Sequence, residues 1–438
     1  MEKYDLLVIG FGKAGKTLAG KFAKLGKKVA LIEKDSSMYG GTCINIGCIP
    51  TKTLIQAAEE NKTFQEAMQL KDAVTSRLNQ KNKAVLEMSG ATLYNGSAYF
   101  RSNHVVDVRN NGQVETIEAQ TIIINTGATS NAFPIPGLLE SNHVYDSTGI
   151  QRLDKQPARL GIIGGGNIGL EFASLYAKLG TKVTVFDTAP AILSRSDETV
   201  AKLAQEYMEE DGITFKLSSQ ILKVENKGEQ VAINLEDGVY DCDAVLYALG
   251  RKPAVDQLGL ENTDIALTER GAIKVNDYLQ TTVPTVYAVG DVHGGLQFTY
   301  TSLDDSRIVY NHLTKGRNYS LKDRKNVPTS TFINPPLSEV GMTEKMAKEE
   351  GIAYKSNELL VAGMPRGHVD NKLRGIFKVI VSTENDQILG ASLFSQESHE
   401  LINMIKMAMD NKIPYTYFKE NIFTHPTMAE NLNDVFNF

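Results

Sequence analysis

Two stretches of the chain repeat the same order of apolar and polar positions. Each begins with a short apolar run that is typical of a buried parallel strand, DLLVIG (5–10) in one copy and LGIIGG (160–165) in the other. A run with apolar residues at helical spacing follows, and then a second apolar run that ends in an acid. The pattern therefore predicts a strand, a helix and a second strand in each copy, which is the βαβ unit of a parallel sheet.

Each predicted strand leads into a glycine triplet with the spacing GxGxxG. The triplets are Gly10, Gly12 and Gly15 in the first copy, and Gly164, Gly166 and Gly169 in the second. An acid follows the middle glycine at the same interval in both copies, Glu33 and Asp187. Such glycines let the backbone approach a pyrophosphate at a helix N-terminus, and the acid accepts hydrogen bonds from ribose hydroxyls. The sequence therefore predicts two Rossmann-like domains and two bound dinucleotides.

The rest of the chain suggests additional strands and a third domain. Three apolar runs lead into glycine turns: TIIINTGA (121–128), AVLYALGRKP (244–253) and VYAVGDV (286–292). Short strands are also expected around AYF and VVDV. After about Asp323 the pattern changes, because VPTSTF and FKVIVS have the composition of strands and LINMIKMAMD has helical spacing. A polar segment, 318–328, is the predicted linker. The predicted fold class is α/β, with a C-terminal α+β domain.

The segment GGTCINIGCIPTK (40–52) contains two of the three cysteines in 438 residues, Cys43 and Cys48. An ideal helix would separate them by about 7.5 Å along its axis, and a disulfide needs Cα atoms within about 7 Å. The pair can close only if the backbone is irregular, which Gly47 permits. The run after Pro50 is helix-like, and thiols at a helix N-terminus have lowered pKa values. A catalytic pair is predicted; a structural disulfide, two inert thiols or a metal site are the alternatives, although no nearby Cys or His supplies further metal ligands.

Composition and charge limit the function classes. The formal net charge is −6, which gives no indication of a nucleic-acid or anionic-membrane partner. No apolar run approaches a membrane span, and the N-terminus does not have the pattern of a secretory signal. The low cysteine content favours a reducing compartment, so a cytoplasmic protein is predicted. Cys242 lies on the apolar AVLYALG run and is expected to be a buried core residue.

Taken together, the motifs resemble those of the class I flavoprotein pyridine nucleotide-disulfide oxidoreductases. The resemblance covers essentially the whole chain and rests on GFGKAG, GGTCINIGCIPTK, GGGNIGLE, ALGRKP, VYAVGDV and FTHPTMAE, in that order. More narrowly, YGGTCINIGCIPTKTL, GGLQFTYTSLDD, DRKNVP, SHELINMIKMAMD and IFTHPTM resemble the RclA-type hypothiocyanous acid reductases. The resemblance implies an FAD-binding domain over 1–148 and 250–320, an NAD-binding domain over 149–249, and a dimerisation domain over 321–438.

The resemblance also implies roles for individual residues. FAD would bind through Gly10, Gly12, Gly15 and Glu33, with Thr42 and Lys52 beside the flavin, Thr126 and Gly127 flanking the ADP part, and Asp291 on the ribityl chain. The nicotinamide cofactor would bind through Gly164, Gly166, Gly169 and Asp187, and Glu171 and Gly250 are further cofactor-site candidates. Cys48 would face the flavin ring, Cys43 would attack the substrate, and Glu171 would pair with Lys52. His425 and Glu430 would form an acid–base pair that acts from the partner subunit, which implies a homodimer with shared active sites.

Two features distinguish this chain within that family. Related enzymes usually have a Tyr at the position of Asn167, where it covers the flavin, so gating is expected to be weaker here. The C-terminal cysteines of many mercuric reductases are absent, which counts against mercury as a substrate. Asp187 favours NADH over NADPH, because a carboxylate repels the additional phosphate, although Arg195 lies nearby in sequence.

The resemblance predicts NADH-dependent reduction of hypothiocyanous acid to thiocyanate, with no resident metal. Dihydrolipoamide dehydrogenase and a glutathione-type disulfide reductase are alternatives with the same core. Arg307 is a candidate to hold a substrate carboxylate in the latter case, although a surface arginine is the simpler interpretation. A redox-sensing flavoprotein without turnover is the alternative from a different class.

Overall fold

The computed structural model describes residues 1–316 and 318–438, and the chain forms two compact units. The first unit consists of Met1–Asn131, Ser147–Asp154 and Gly250–Arg324, and the second of Ala132–Asp146, Lys155–Leu249 and Lys325–Phe438. Each unit is therefore assembled from three separate stretches of the sequence. The division into three domains stays a prediction.

A mostly parallel sheet forms the centre of the first unit. Its strands, in spatial order, are Thr92–Asn95, Val29–Glu33, Glu2–Ile9, Gln113–Ile124, Val105–Asn110 and Ser97–Ser102, with Val286–Ala288 parallel to the fourth. Leu7 is opposite Ala30 on one side and Ile122 on the other. This register places the carboxyl ends of Glu2–Ile9 and Val29–Glu33 at the same edge, where the first glycine triplet begins. A separate antiparallel pair joins Ala128–Ser130 to Arg251–Pro253.

Both faces of this sheet are buried, as the continuous apolar runs predict. Ile122 packs in one core cluster and Ile123 in the other, because successive side chains of a strand point to opposite faces. Both side chains are completely buried, and burial of an aliphatic side chain of this size contributes about 1.5–3 kcal/mol. The burial stabilises the sheet edge that carries the glycine turn.

Helices surround this sheet, and one sequence prediction needs correction here. The helices of the first unit are Lys13–Lys24, Thr42–Asn45, Cys48–Glu59, Phe64–Met88 and Thr299–Thr314, with 3-10 turns at Ser36–Met38, Ile150–Arg152, Leu260–Asn262, Gly290–His293 and Leu321–Asp323. The run after Pro50 is not one helix: the first helix begins at Cys48 and ends at Glu59. Thr63 then caps the next helix through a reciprocal capping box with Glu66, which starts a new helix in place of the old one.

The N-terminal part of the second unit is the second dinucleotide fold. Its parallel sheet has the order Thr214–Lys216, Lys182–Phe186, Arg159–Ile163, Ala244–Tyr247 and Val144–Tyr145. The helices Asn167–Lys178 and Glu198–Glu210 accompany this sheet, and an antiparallel meander follows, Ile221–Lys227, Gln230–Leu235 and Gly238–Cys242. Cys242 is buried beside the glycine of the central strand: a Cβ on Gly161 would lie 2.9 Å from its Sγ. The thiol therefore fills core space that the glycine leaves open.

The C-terminal part of the second unit is an α+β arrangement, as predicted. Its antiparallel sheet has the order Thr329–Thr331, Leu337–Gly341, Ile388–Phe394, Ile376–Ser382 and Tyr354–Leu360. The helices are Glu344–Glu349, Pro365–Asp370, Ser398–Asp410, Tyr415–Glu420 and Asn431–Val435, with a 3-10 turn at Val361–Gly363. LINMIKMAMD lies within Ser398–Asp410, and its Leu401, Ile402 and Ile405 are buried in the core. Among all described residues, no helix is long and apolar enough to cross a membrane.

Candidate active site

The first glycine triplet forms a tight turn around one asparagine that the sequence analysis did not single out. Asn125 follows a buried strand; its Oδ1 accepts a hydrogen bond from the Gly15 amide at 2.8 Å, and its Nδ2 donates to the Val289 carbonyl at 2.7 Å. A Cβ on Gly12 would lie 2.4 Å from Asn125 Oδ1, and Gly10 has φ +98°. The turn therefore requires glycine at both positions. A polar residue directly after the apolar run 122–124 was the available sequence signal.

Glu33, the acid predicted to bind a ribose, is held beside this turn by backbone amides. Its carboxylate accepts hydrogen bonds from the amides of Phe11 at 3.0 Å and Asp35 at 3.2 Å. The side chain is buried, and burial raises its pKa above the usual value for Glu. The two backbone hydrogen bonds oppose that increase and fix the orientation of the carboxylate.

The cysteine segment packs directly on the glycine turn. Gly41 has φ +81°, and a Cβ there would lie 2.8 Å from the Cα of Gly12. The two backbones are therefore in contact, and only glycines at 12 and 41 permit this approach. This contact supports the prediction that the thiols lie near a dinucleotide of the first fold, which stays a prediction.

Cys43 and Cys48 lie in two different helices joined by an irregular connection. Cys43 is in the short helix Thr42–Asn45, and Cys48 is the first residue of Cys48–Glu59. Gly47 between them has φ −122° and ψ −113°, outside helical geometry. This is the irregularity that the spacing argument requires. Both cysteines are present as free thiols, with Cys48 exposed and Cys43 partly buried.

The structure changes one expectation about these thiols, because the pKa of Cys43 is raised rather than lowered. The hydrogen bond with Cys48 is the largest cause, and burial adds to it. Two adjacent thiols resist losing both protons, since the second thiolate would face the first. Thr299 and Lys16 act in the opposite direction on Cys43. The helix-terminus argument from sequence omits the neighbouring thiol, which dominates here.

Thr299 is a contact of the thiol pair that the sequence analysis did not identify. Its Oγ1 lies 3.5 Å from the Sγ of Cys48, and its hydroxyl lowers the pKa of Cys43. Thr299 is the first residue of the helix Thr299–Thr314, so the positive end of a helix dipole accompanies the hydroxyl. Tyr300 is 43% exposed, and its ring is stacked on Phe298 with centroids 5.1 Å apart. The segment FTY therefore forms a polar and aromatic wall beside the thiols.

Other predicted flavin contacts lie in the same unit, and one suggests a ligand directly. The hydroxyl Oγ1 of Thr126 is buried and has no hydrogen-bond partner among the described residues, an unfavourable arrangement for a protein group without a ligand. Asp291 lies in the 3-10 turn Gly290–His293, where burial raises its pKa. Gly127 and Gly250 have positive φ angles, +74° and +94°.

These residues fit an FAD. Glycine amides at the N-terminus of the helix Lys13–Lys24 would hold the pyrophosphate of FAD, and Glu33 would bind its ribose. Thr126 and Asp291 would bind polar atoms of the rest of the cofactor. Thr42 begins its helix and Lys52 lies one turn into the next. Their predicted places beside the flavin stay predictions.

The second fold repeats the arrangement of the first. Asp187 accepts hydrogen bonds from the amides of Gly165 at 2.6 Å and Ala189 at 2.8 Å. A Cβ on Gly169 would lie 1.9 Å from the Gly164 carbonyl, and Gly166 is the N-cap of the helix Asn167–Lys178. This turn and Asp187 fit an adenine dinucleotide in the same way. Asn167 itself is exposed at the first position of that helix.

Glu171 is buried on the same helix. Its Oε1 accepts a hydrogen bond from the Phe332 amide at 3.0 Å. Lys52 belongs to the first unit and Glu171 to the second, and their pairing stays a prediction.

His425 and Glu430 form the contact that the HPTMAE motif predicts. His425 Nδ1 lies 2.8 Å from Glu430 Oε2, and the imidazole is 69% exposed. Glu430 is held from the other side, because its Oε1 accepts a hydrogen bond from the Thr427 amide at 3.3 Å. A carboxylate on Nδ1 fixes the tautomer and leaves Nε2 to exchange protons.

Arg307 has an ordinary structural partner. Its guanidinium pairs with Asp304 at 3.2 Å and is 57% exposed. Asp304 also pairs with Arg324 at 2.8 Å, within the segment predicted as a linker. The surface interpretation of Arg307 accounts for these contacts. Among the residues that the structure describes, no cluster of three or more His, Cys, Asp or Glu could hold a metal ion.

Comparisons with known proteins identify the family of this chain. Residues 4–306 match the family described as pyridine nucleotide-disulphide oxidoreductase, and residues 327–436 match the dimerisation domain of that family. A probable pyridine nucleotide-disulfide oxidoreductase, RclA of Escherichia coli, is 47% identical over 100% of this chain and 99% of its own length. The solved structure described as the HOCl-induced flavoprotein disulfide reductase RclA from Escherichia coli, in a Cu(II) complex, has a TM-score of 0.98 at 46% identity, over 100% of this chain and 99% of that chain.

More distant relatives share the same core. A mercuric reductase of Staphylococcus aureus is 32% identical over 98% of this chain and 81% of its own length. A dihydrolipoyl dehydrogenase of Geobacillus stearothermophilus is 30% identical over 97% of this chain and 94% of its own length. The same family therefore serves several substrates, and the substrate of this chain has to be argued from the site itself.

Proposed function

Because this chain belongs to the pyridine nucleotide-disulphide oxidoreductase family, we propose that it uses NADH to reduce hypothiocyanous acid to thiocyanate. Cys43 and Cys48 are the electron-carrying pair in this proposal. The observation that carries it is a pair of thiols, Cys43 and the helix-starting Cys48, on a segment whose Gly41 packs against the glycine turn of the first dinucleotide fold. The residues of that turn would hold an FAD, which would supply two-electron transfer between NADH and the Cys43–Cys48 pair.

The two thiols can reduce hypothiocyanous acid in two steps, without a further reagent. The Cys43 thiolate attacks the sulfur of hypothiocyanous acid and forms an S–S bond, while the S–O bond breaks and hydroxide leaves as water once protonated. The Cys48 thiolate then attacks Cys43 Sγ, expels thiocyanate and forms the Cys43–Cys48 disulfide. Overall, NADH and hypothiocyanous acid give NAD⁺, thiocyanate and water. His425 of the partner subunit would supply the proton to the leaving oxygen, with its Nδ1 held by Glu430.

Two observations support a small acceptor and NADH. A peptide disulfide such as oxidised glutathione needs a cation for its carboxylates, and Arg307 already pairs with Asp304. Asp187 supports NADH, because a carboxylate at the end of the second strand would repel the additional phosphate of NADPH, and both of its oxygens are held by backbone amides. The RclA of Escherichia coli, described as HOCl-induced, supports a role in oxidant defence.

The test is NADH consumption by the FAD-loaded protein with different acceptors. Hypothiocyanous acid, oxidised glutathione, lipoamide and cupric ion are supplied in parallel, together with a sample without acceptor. Multiple fast turnovers with hypothiocyanous acid and slow rates with the others are expected. Fast turnover with lipoamide or glutathione instead would overturn the substrate, and reduction that stops at one equivalent would indicate a redox sensor.

Two variants test the thiol chemistry in the same assay. Cys43→Ser is expected to abolish turnover, because it removes the attacking thiol. Cys242→Ser is the matched control, since Cys242 is buried in the other unit and takes no part in the proposed steps. Full turnover by Cys43→Ser would contradict the mechanism.

A further inference from the structure

Lys16 is a partly buried cation that the proposed reaction does not yet use. It lies on the helix Lys13–Lys24, and its Nζ donates hydrogen bonds to the Gly40 carbonyl at 3.2 Å and to Asn82 Oδ1 at 2.5 Å. Both acceptors are neutral. Across residues 1–316 and 318–438, no carboxylate forms an ion pair with Lys16. An ammonium removed from water without an anion is unfavourable.

The pKa of Lys16 reflects the lack of an anionic partner. Burial lowers the pKa of Lys16 to about 8, and the positive charge of Lys13 on the same helix lowers it further. Cys43 is the group that acts in the opposite direction, because its thiolate would stabilise the ammonium. The same interaction lowers the pKa of Cys43. A charged Lys16 and an ionised Cys43 therefore stabilise each other.

The amine is held in place by its neighbours. Asn82 donates its own Nδ2 to the Leu78 carbonyl at 2.7 Å, and this orients Oδ1 towards Lys16. Gly40 has φ +98°, and a Cβ there would make a tight contact of 3.0 Å with the Asn82 Cγ. The Gly40 carbonyl is only three residues before Cys43. The ammonium is therefore fixed against the loop that carries the attacking thiol.

We propose that Lys16 is a positioning residue that provides the positive charge beside Cys43, stabilising its thiolate and attracting anionic sulfur reagents to it. The inference rests on the proposed function only in taking Cys43 as the thiol that reacts with substrate. The positive charge of Lys16 would also make the site selective, because it favours small anions over neutral thiol reagents. Such anions include the conjugate base of hypothiocyanous acid and the thiocyanate that leaves.

Other charged groups around Lys16 do not supply this charge. Lys13 is its neighbour on the same helix and repels it. On the helix Phe64–Met88 the contacting residue is the neutral Asn82, and Lys83 beside it pairs with Glu87 at 3.7 Å. From the cysteine loop, Cys43 is the titratable group that faces Lys16. The positive charge near Cys43 should therefore change with pH as Lys16 loses its proton.

The experiment compares an anionic and a neutral alkylating agent of similar size. The FAD-loaded protein is reduced by two electrons without oxygen, treated with iodoacetate or iodoacetamide, and the rate of Cys43 alkylation is measured by peptide mass spectrometry. The ratio of the two rates reports local charge, because the thiolate fraction is common to both. In the wild type this ratio is expected to be about five- to tenfold higher at pH 7 than at pH 9.5, with its midpoint near pH 8.

Variants identify the source of the charge. Lys16→Met is expected to give a low ratio at every pH and about five- to tenfold slower iodoacetamide alkylation at pH 7. Lys16→Arg should keep the high ratio up to pH 9.5, since a guanidinium stays protonated. Lys21→Met is the matched control: it removes the same charge from the same helix, where Lys21 lies 4.6 Å over the Tyr310 ring.

The outcomes separate this inference from the proposed function. A Lys16→Met ratio equal to that of Lys21→Met and the wild type would overturn the role of Lys16. If Lys16→Met does not bind FAD, the Lys16→Arg variant provides the test. An iodoacetate-to-iodoacetamide rate ratio that falls at pH 9.5 in Lys16→Arg, as in the wild type, would overturn the role of Lys16. Hypothiocyanous acid turnover is measured separately on the same wild-type sample. Its absence, together with the expected ratios, would refute the substrate and leave the role of Lys16 standing.

Discussion

Removal of the Thr299 hydroxyl should destabilise the thiolate form of the cysteine pair and so raise its apparent pKa. Thr299 Oγ1 lies 3.5 Å from Cys48 Sγ, and its hydrogen bond lowers the pKa of Cys43. Valine has nearly the shape of threonine but donates no hydrogen bond. Thr299→Val therefore removes the donor with little change in packing, and the apparent thiol pKa of the pair should rise.

The size of the effect follows from the strength of a charge-assisted hydrogen bond. Such a bond contributes about 1.5–3 kcal/mol, and each pKa unit corresponds to about 1.4 kcal/mol. The apparent pKa is therefore expected to rise by about 1–2 units. Because only the thiolate reacts, thiol reactivity should fall about tenfold or more at a pH below the wild-type pKa. Well above both pKa values, the two proteins should react equally fast.

The assay is the pH dependence of iodoacetamide alkylation in the FAD-loaded protein after two-electron reduction. Thr299→Ser retains the hydroxyl and should remain close to the wild type. Thr314→Val is the control for loss of a hydroxyl from the same helix, since Thr314 Oγ1 only donates to the Tyr310 carbonyl at 2.6 Å. If the Thr299→Val profile superimposes on that of Thr314→Val, the hydroxyl does not stabilise the thiolate and the reasoning is refuted.

Three further predictions concern other parts of the molecule. Glu430→Gln weakens the hold on His425 Nδ1, so turnover is expected to fall about 10–100-fold with unchanged FAD content; unchanged turnover would contradict the acid–base role. Gly12→Ala places a Cβ 2.4 Å from Asn125 Oδ1, so the protein should purify with much less flavin absorbance than Gly20→Ala, where the nearest atoms, those of Ser89, lie 3.9 Å from the added Cβ. Lys378→Met leaves three carboxylates around a buried position without their cation, and the free energy of unfolding in urea should fall by about 3–5 kcal/mol, whereas a loss below 1 kcal/mol would refute a structural role for this cluster.

Local sequence patterns determined the elements and the chemistry of this protein. Glycine spacing and the acid that follows identify a dinucleotide turn, since both belong to one strand–turn–helix unit of about 30 residues. The α/β class with a C-terminal α+β unit was predicted correctly, because each strand and helix has its own apolar period. The run after Pro50 shows where this reasoning fails. Its composition is helical throughout, and the Thr63–Glu66 capping box that divides it was not recognised.

The tertiary structure alone decided which distant residues meet at the site. Asn125 is 110 residues from Gly15, and Thr299 is 251 residues from Cys48. The raised pKa of Cys43 also depends on a hydrogen bond that helix geometry does not predict. Such contacts depend on strand order, register and the packing of separate helices, which no local window of sequence contains. Neighbouring residues specify each element, and the distances between elements set the charge and the hydrogen bonding of the thiols.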